Sequence, residues 1–186
     1  FAHMDAANVD LKAFSDDFYH RLCGGHLQPV LDTLVYLTRE TSVWLELTTL
    51  LIPGENDSDE EIERMTRWVV SELGPDVPMH FTAFHPDWKM LDHPATPPQT
   101  LGRARAIALR NGVRYAYTGN VHDAAGGSTY CPGCGARVIQ RDWYELGEWG
   151  LDATGCCAKC HTRIAGVFDA APGTWGARRV PVRMAH

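Results

Sequence analysis

Cysteine is nearly missing from the first 129 residues of this 186-residue chain, where Cys23 stands alone, whereas the other five fall between positions 131 and 160. A disulfide-stapled scaffold is thereby excluded for the larger part of the chain. Long apolar runs are missing as well. None approaches the ~18 residues of a membrane span, and Phe1-Ala-His-Met-Asp-Ala-Ala7 has neither the basic start nor the apolar stretch of a secretory signal. No membrane role is expected, and a cytoplasmic setting is the default. Basic charge is scarce where a nucleic-acid binder would need it: 10 Lys and Arg face 18 Asp and Glu up to Thr129, and 7 face 5 from Tyr130 onward, for a formal net charge of −6. An acidic body argues against broad nucleic-acid binding, because neutralising phosphates requires a basic surface. Position 1 is not a methionine, and a strand pattern begins almost at once. The chain is therefore expected to be a fragment that opens inside a fold.

What is present is an ordinary globular composition, 45% hydrophobic and 22% charged, with a repeating βα plan. Residues 43–52 are rich in β-branched, aromatic and leucine residues and stop at Pro53-Gly54, a strand running into a break. Ser58 opens Ser-Asp-Glu-Glu61, which predicts a capping box: the Ser58 hydroxyl accepts from the Glu61 amide and the Glu61 side chain reaches back. Ile62, Met65, Val69 and Leu73 then recur at helical spacing to 73. Upstream, residues 8–14 alternate, with Asp10 and Lys12 on one face and Val9, Leu11 and Ala13 on the other. A short helix capped by Ser15 follows, with Cys23 expected as a small buried residue at its end. Helix 26–40 carries a Leu27, Val30, Leu31, Leu34, Leu37 stripe. Downstream come strand 79–84, a proline-rich loop 87–98, a helix started by Thr96-Pro97 and stopped by Asn111-Gly112, and strand 113–117. This βαβαβαβ order predicts parallel strands joined by right-handed crossovers, either a small open sheet or half of a barrel, and the abrupt beginning favours the half barrel.

Beyond a linker at 124–129, Cys131-Pro-Gly-Cys134 and Cys157-Ala-Lys-Cys160 lie 22 residues apart. Two knuckles that each converge two thiolates on one ion predict a tetrahedral structural Zn2+ site, with Cys131, Cys134, Cys157 and Cys160 as ligands of a zinc ribbon over 130–170. Metal would supply much of the folding energy of so small a module. Cys157-Ala-Lys-Cys160-His161 also matches a haem-attachment pattern, but that requires export and a second axial ligand, and leaves Cys131 and Cys134 unexplained. A redox dithiol is the third reading; Cys156 could replace Cys157 as ligand, though Cys156 to Cys160 makes a poorer knuckle, and otherwise it reads as a spare thiol.

In the body, Asp10, Lys12, Glu46, Thr48, His80, Thr82 and His85 fall on strands or at strand ends. In a barrel, polar residues near the carboxyl ends build the site. The pair Asp10 and Lys12 reads equally well as a ligand-binding pair and as a structural ion pair. His80 and Thr82 share one strand face and His85 falls with the other, so alternation alone does not choose between the two histidines.

Asp10-Leu-Lys12, Leu51-Ile-Pro-Gly-Glu-Asn-Asp57, His80-Phe-Thr-Ala-Phe-His-Pro86, Tyr117-Thr-Gly-Asn120 and Thr129-Tyr-Cys-Pro-Gly-Cys134, in this order, resemble the radical SAM protein of the AmmeMemoRadiSam system, a family similar to pyruvate formate-lyase activating enzymes. The resemblance implies an α/β fold: the C-terminal half of a partial (β/α)6 TIM-like barrel over 1–123, followed by the small zinc-ribbon module and a tail at 171–186. It implies S-adenosylmethionine as a ligand, with Asp10, Lys12 and His85 approaching it. For the complete protein it implies a 4Fe–4S cluster that reductively cleaves S-adenosylmethionine to a 5'-deoxyadenosyl radical for hydrogen abstraction, and it leaves a Memo-like protein of the same system as a candidate partner. The Cys-x3-Cys-x2-Cys cluster motif is absent from these residues, so this chain alone is expected to be inactive. The rival expectation is a non-enzymatic zinc-ribbon adaptor that binds a protein or RNA partner.

Overall fold

The computed structural model describes Phe1 and residues 3–173; from residue 174 the expected tail lies outside the described residues. The chain divides into two compact units, Phe1–Gly127 and Ser128–His186.

In the first unit, strands β1 (Ala6–Asp10), β2 (Trp44–Leu51), β3 (Met79–Ala83) and β4 (Ala116–Gly119) pair in sequential order, all parallel. Sequential order with crossovers of one hand places every connecting helix on the same side of the sheet. The burial pattern agrees. In β2, Leu45, Leu47, Thr49 and Leu51 are buried while Trp44, Glu46, Thr48 and Leu50 are half-buried, and β3 and β4 alternate in the same way.

The buried face packs on three helices: α2 (Leu27–Glu40), α3 (Asp59–Trp68) and α4 (Pro98–Arg110). Leu34 and Leu37 of α2, Ile62 and Met65 of α3, and Leu101 and Ala104 of α4 close this core with Leu47 and Phe81. Each fully buried Leu, Ile or Phe contributes about 1.5–3 kcal/mol. The other face carries the polar strand residues and has no helix of this set on it.

Several local expectations are corrected. The first strand ends at Asp10 rather than 14, because residues 11–14 exchange ladder bonds for side-chain partners. Thr49 Oγ1 donates to the Leu11 carbonyl at 2.8 Å, Asn56 Nδ2 to the Lys12 carbonyl at 2.6 Å, the Lys12 amide to the Tyr19 hydroxyl at 3.0 Å, and the Phe14 amide to Glu61 Oε1 at 2.6 Å. Glu61 is thus only half of a capping box: its amide donates to Ser58 Oγ at 3.3 Å, but its carboxylate serves Phe14. Thr96 does not cap α4. Its hydroxyl donates to the Leu51 carbonyl at 2.5 Å and accepts from the Phe84 amide at 2.9 Å, so Pro97 takes the N-cap position without a side-chain bond. Cys23 is exposed rather than buried. It ends the π-helical turn Tyr19–Cys23 that continues helix α1 (Asp16–Phe18) and closes on Gly24 at φ 67°. The fourth strand lies at 116–119 rather than 113–117, with Val113 already buried ahead of it.

After a single turn α5 (Ala124–Gly127), the second unit forms a three-stranded antiparallel sheet from β5 (Thr129–Tyr130), β6 (Arg137–Asp142) and β7 (Glu145–Trp149). Among its described residues the buried aliphatic side chains are few: Val138, Ile139, Leu151 and Ile164. No described helix is long and apolar enough to cross a membrane.

Candidate functional site

A charged pair stands at the carboxyl end of β1. Lys12 Nζ lies 3.0 Å from Asp10 Oδ2, with both side chains partly exposed, at 37% and 55%. The backbone beneath this pair is fixed atom by atom by Thr49, Asn56, Tyr19 and Glu61, as described above. Asn56 is 1% exposed and spends all its capacity on backbone, adding a bond from Nδ2 to the Leu50 carbonyl at 2.9 Å and accepting from the Ile52 amide at 2.7 Å. Burial pushes the Tyr19 phenol up, against the pull of the Lys12 amide bond.

Strand register aligns Asp10, Thr48, His80 and Tyr117 as one row across all four strands. With neighbouring strands about 4.8 Å apart, Asp10 and His80 stand roughly 10 Å apart on the face that the helices leave bare. His80 Nε2 sits 2.8 Å from Glu46 Oε2, its ring stacks on Tyr117 at 4.9 Å, and Trp44 Nε1 donates to Glu46 Oε1 at 3.0 Å. Thr48 Oγ1 donates to Asn8 Oδ1 at 2.8 Å.

His85 lies just past β3, is exposed, and makes no hydrogen bond or ion pair with a described residue. The structure therefore brings Asp10 and Lys12 together, whereas His85, just past the carboxyl end of β3, bonds to neither. A further group was not singled out in the sequence. Arg21 Nη2 lies 2.5 Å from Glu55 Oε2, and Glu55 Oε1 lies 2.9 Å from His93 Nε2. These residues come from three different connections, and only the Asn after Pro53-Gly54 hints locally that the second connection is structured.

The second unit carries a zinc-ribbon-like cysteine cluster. The sulfurs of Cys131, Cys134, Cys157 and Cys160 lie within 4.8 Å of one another, with Cys131 and Cys160 at 3.5 Å and Cys134 and Cys157 at 3.8 Å. Four thiolates at Zn–S about 2.3 Å on a tetrahedron stand about 3.8 Å apart, so this donor set fits a tetrahedral divalent metal. The two knuckles repeat one geometry. The Gly135 amide donates to the Cys131 carbonyl at 2.9 Å with φ 70°, and the His161 amide donates to the Cys157 carbonyl at 2.8 Å with φ 61°. His161 thus occupies the left-handed position that glycine fills in the first knuckle. At Gly133 a Cβ would meet Thr162 Oγ1 at 2.3 Å, so only glycine lets the two knuckles approach this closely.

Without metal, these sulfurs compete for protons. The Thr162 hydroxyl and amide hold the Cys160 thiol down to about 6. Cys134 is pushed up to about 11: the Ala136 amide favours its thiolate, but its contacts with Cys160, Cys131 and Cys157 and partial desolvation outweigh that pull. A readily ionised Cys160 beside a Cys134 that holds its proton belongs to a donor set that a cation completes, displacing protons as it binds. Cys156 is not among the four; its amide bonds Asp152 Oδ1 at 3.0 Å.

No protein-family model matches the chain. An uncharacterized protein of Methanocaldococcus jannaschii is 40% identical over 162 residues, 87% of this chain and 48% of that protein. The chain therefore spans about half the length of the curated relative it matches. Among solved structures, a domain of pyruvate-formate lyase-activating enzyme from Bacteroides vulgatus superposes with a TM-score of 0.54 at 15% identity, covering 62% of this chain and 68% of that one. The chain shares the fold of that activating-enzyme domain.

Proposed function

We propose that this chain is the C-terminal portion of a radical SAM enzyme of the AmmeMemoRadiSam type, in which Asp10, Lys12 and His85 meet S-adenosylmethionine and the ribbon holds a structural zinc ion. The observation that carries the reading is the Asp10–Lys12 pair, held by four side-chain clamps at the carboxyl end of a singly wound parallel sheet. Opposite charges 3.0 Å apart match the amine and carboxylate of a methionyl group, each of which exchanges one partner of the ion pair for itself. The activating-enzyme fold supports the same assignment, and a relative twice as long leaves room for the front half of a partial barrel.

An iron–sulfur cluster does not fit this chain's own cysteines, since the converging four form a closed tetrahedral set and no Cys-x3-Cys-x2-Cys is present. In the complete enzyme, a cluster held elsewhere would supply the electron that cleaves S-adenosylmethionine to a 5'-deoxyadenosyl radical. The residues of this chain bind and orient: Lys12 at the carboxylate, Asp10 at the amine directly or through a cation, and His85 from the third connection.

Iron and sulfide reconstitution under a one-electron reductant tests this. The complete protein should release 5'-deoxyadenosine, and Asp10→Asn or Lys12→Met should lower turnover and ligand affinity about tenfold or more, the size of one lost charge-assisted bond. This chain alone should release none. Turnover by this chain, or undiminished affinity in both variants, would overturn the assignment. The adaptor reading draws on Trp143 and Tyr144, which are 50% and 69% exposed at the ribbon's hairpin. It gains ground if the complete protein is inert and residues 128–173 instead capture a protein or RNA.

A further inference from the structure

The connections after β1, β2 and β3 are tied together by one run of charged groups. Asp17 Oδ2 lies 3.5 Å from Arg21 Nε, Arg21 holds Glu55 at 2.5 Å, Glu55 Oε1 lies 2.9 Å from His93 Nε2, and His93 Nδ1 lies 2.9 Å from Asp92 Oδ1. Both ring nitrogens of His93 face carboxylate oxygens. A neutral imidazole has one N–H and would leave one carboxylate oxygen against a lone pair; only the imidazolium donates at both. The ring stands edge-on to Phe84 at 6.5 Å, and Phe84 is 6% exposed at the foot of the loop that carries both His85 and His93.

That loop is pinned at its base, where the Thr96 amide donates to the Phe84 carbonyl at 3.0 Å and the Thr96 hydroxyl accepts from the Phe84 amide. Between these points it has little to rest on. Trp88 is 78% exposed and Leu91 71%, and Met90 alone packs partly on the small cluster around Phe84. The His93 contact with Glu55 is the polar tie between the loop's far side and the β2 connection.

We propose that His93 and Glu55 form a proton-operated latch that holds the loop 85–95 against the carboxyl end of the sheet and so sets the position of His85. Glu55 first and Asp92 second hold the His93 imidazolium above the ordinary histidine range. Arg21 first and His93 second hold Glu55 below the usual carboxylate range. Arg21 stays charged throughout and keeps Glu55 ionised, so the titrating member is His93. A histidine whose folded pKa is raised contributes stability below its unfolded pKa and loses it as pH rises through the folded value. The latch is closed in mild acid and opens on the alkaline side.

Proton NMR of the His93 ring, together with amide exchange of residues 85–95 corrected for intrinsic rates, tests this on the chain itself between about pH 5 and 9. His93 should titrate above ~6.5, and loop exchange should rise about tenfold or more through the same pH. In His93→Gln the loop should exchange at the open rate at every pH. Glu55→Gln should lower the His93 midpoint and carry the exchange step with it, and the exposed Asp92→Asn should do the same by a smaller amount. Core amides of β2 and β3 report whether each variant folds. Loop protection that ignores His93 titration, or a His93 midpoint at or below ~6.5, would overturn the latch. The importance of His85 rests on the function proposed above, but this test uses no ligand, so the latch and that function fail separately.

Discussion

Stripping the zinc proposed for the ribbon is expected to unfold residues 128–173 while the parallel sheet persists. Val138, Ile139, Leu151 and Ile164 are the buried aliphatic side chains among the described residues of this unit, and each contributes about 1.5–3 kcal/mol. Zinc on such a donor set brings about 10–16 kcal/mol at neutral pH, as much as that small core supplies or more. Two of the four thiol carriers, Cys131 and Cys157, are themselves buried at 2% and 1%, so losing the ion also strands polar sulfur inside the unit. A chelator followed by amide NMR reads the result: resonances of 128–173 should collapse to a narrow range, while those of β2 and β3 stay dispersed. Metal analysis should find about one zinc per chain and none in a Cys131→Ser, Cys134→Ser double variant. A dispersed spectrum after complete metal loss would mean that the ribbon's own packing suffices, and retention of the ion by the double variant would require another ligand set.

Asn56→Ala should be the most damaging single change in the sheet unit outside its apolar core. It removes a side chain that is 1% exposed and leaves the Ile52 amide and the Lys12 and Leu50 carbonyls without their partner. Orphaned buried groups cost about 1–3 kcal/mol each, so a loss on the order of 3 kcal/mol or more is expected, in a domain class whose total is about 5–15 kcal/mol. Asn56→Asp should fare no better. It keeps the acceptor for Ile52 but turns a donor into an anion facing two carbonyls. Urea unfolding should show a lower midpoint at unchanged slope, while Gln28→Ala on the exposed face of α2 moves the midpoint little. A midpoint shift equivalent to less than about 1 kcal/mol would mean that water replaces the amide. Since Asn56 fixes the carbonyl of Lys12 itself, the same variant should weaken binding of S-adenosylmethionine if Lys12 serves as proposed.

These two cases mark where the sequence was readable. Periodicity is local, and wherever it decided the outcome the elements lie close to their expected bounds: α2 begins one residue late and β2 is one residue shorter at each end. The knuckles are readable for the same reason, because four residues suffice to turn a chain around a sulfur pair. Residues 11–14 misled because their alternation is real, with Leu11 and Ala13 fully buried, yet their backbone bonds run to side chains as distant as Asn56 and Glu61. Thr96 misled because a hydroxyl ahead of a helix can serve either the helix or a neighbouring strand, and only the position of Leu51 decides. Arg21, Glu55 and His93 lie up to 72 positions apart in sequence and share no spacing rule, so nothing short of the folded sheet assembles them.

The sequential strand order has a kinetic consequence. Every strand pairs only with its neighbours in sequence, so loop closure never spans more than one βα unit and the sheet can grow along the chain without a distant partner. Such a sheet assembles and frays in the manner of a repeat array, with cooperativity passing between adjacent units rather than through a central knot. Among the described residues, β2 and β3 gain protection from two neighbours each, while β1 and β4 have one. For this chain by itself, fluctuations of the native state then begin at β1 and β4, and in a complete barrel of the kind proposed a preceding strand would shield β1, which bears Asp10.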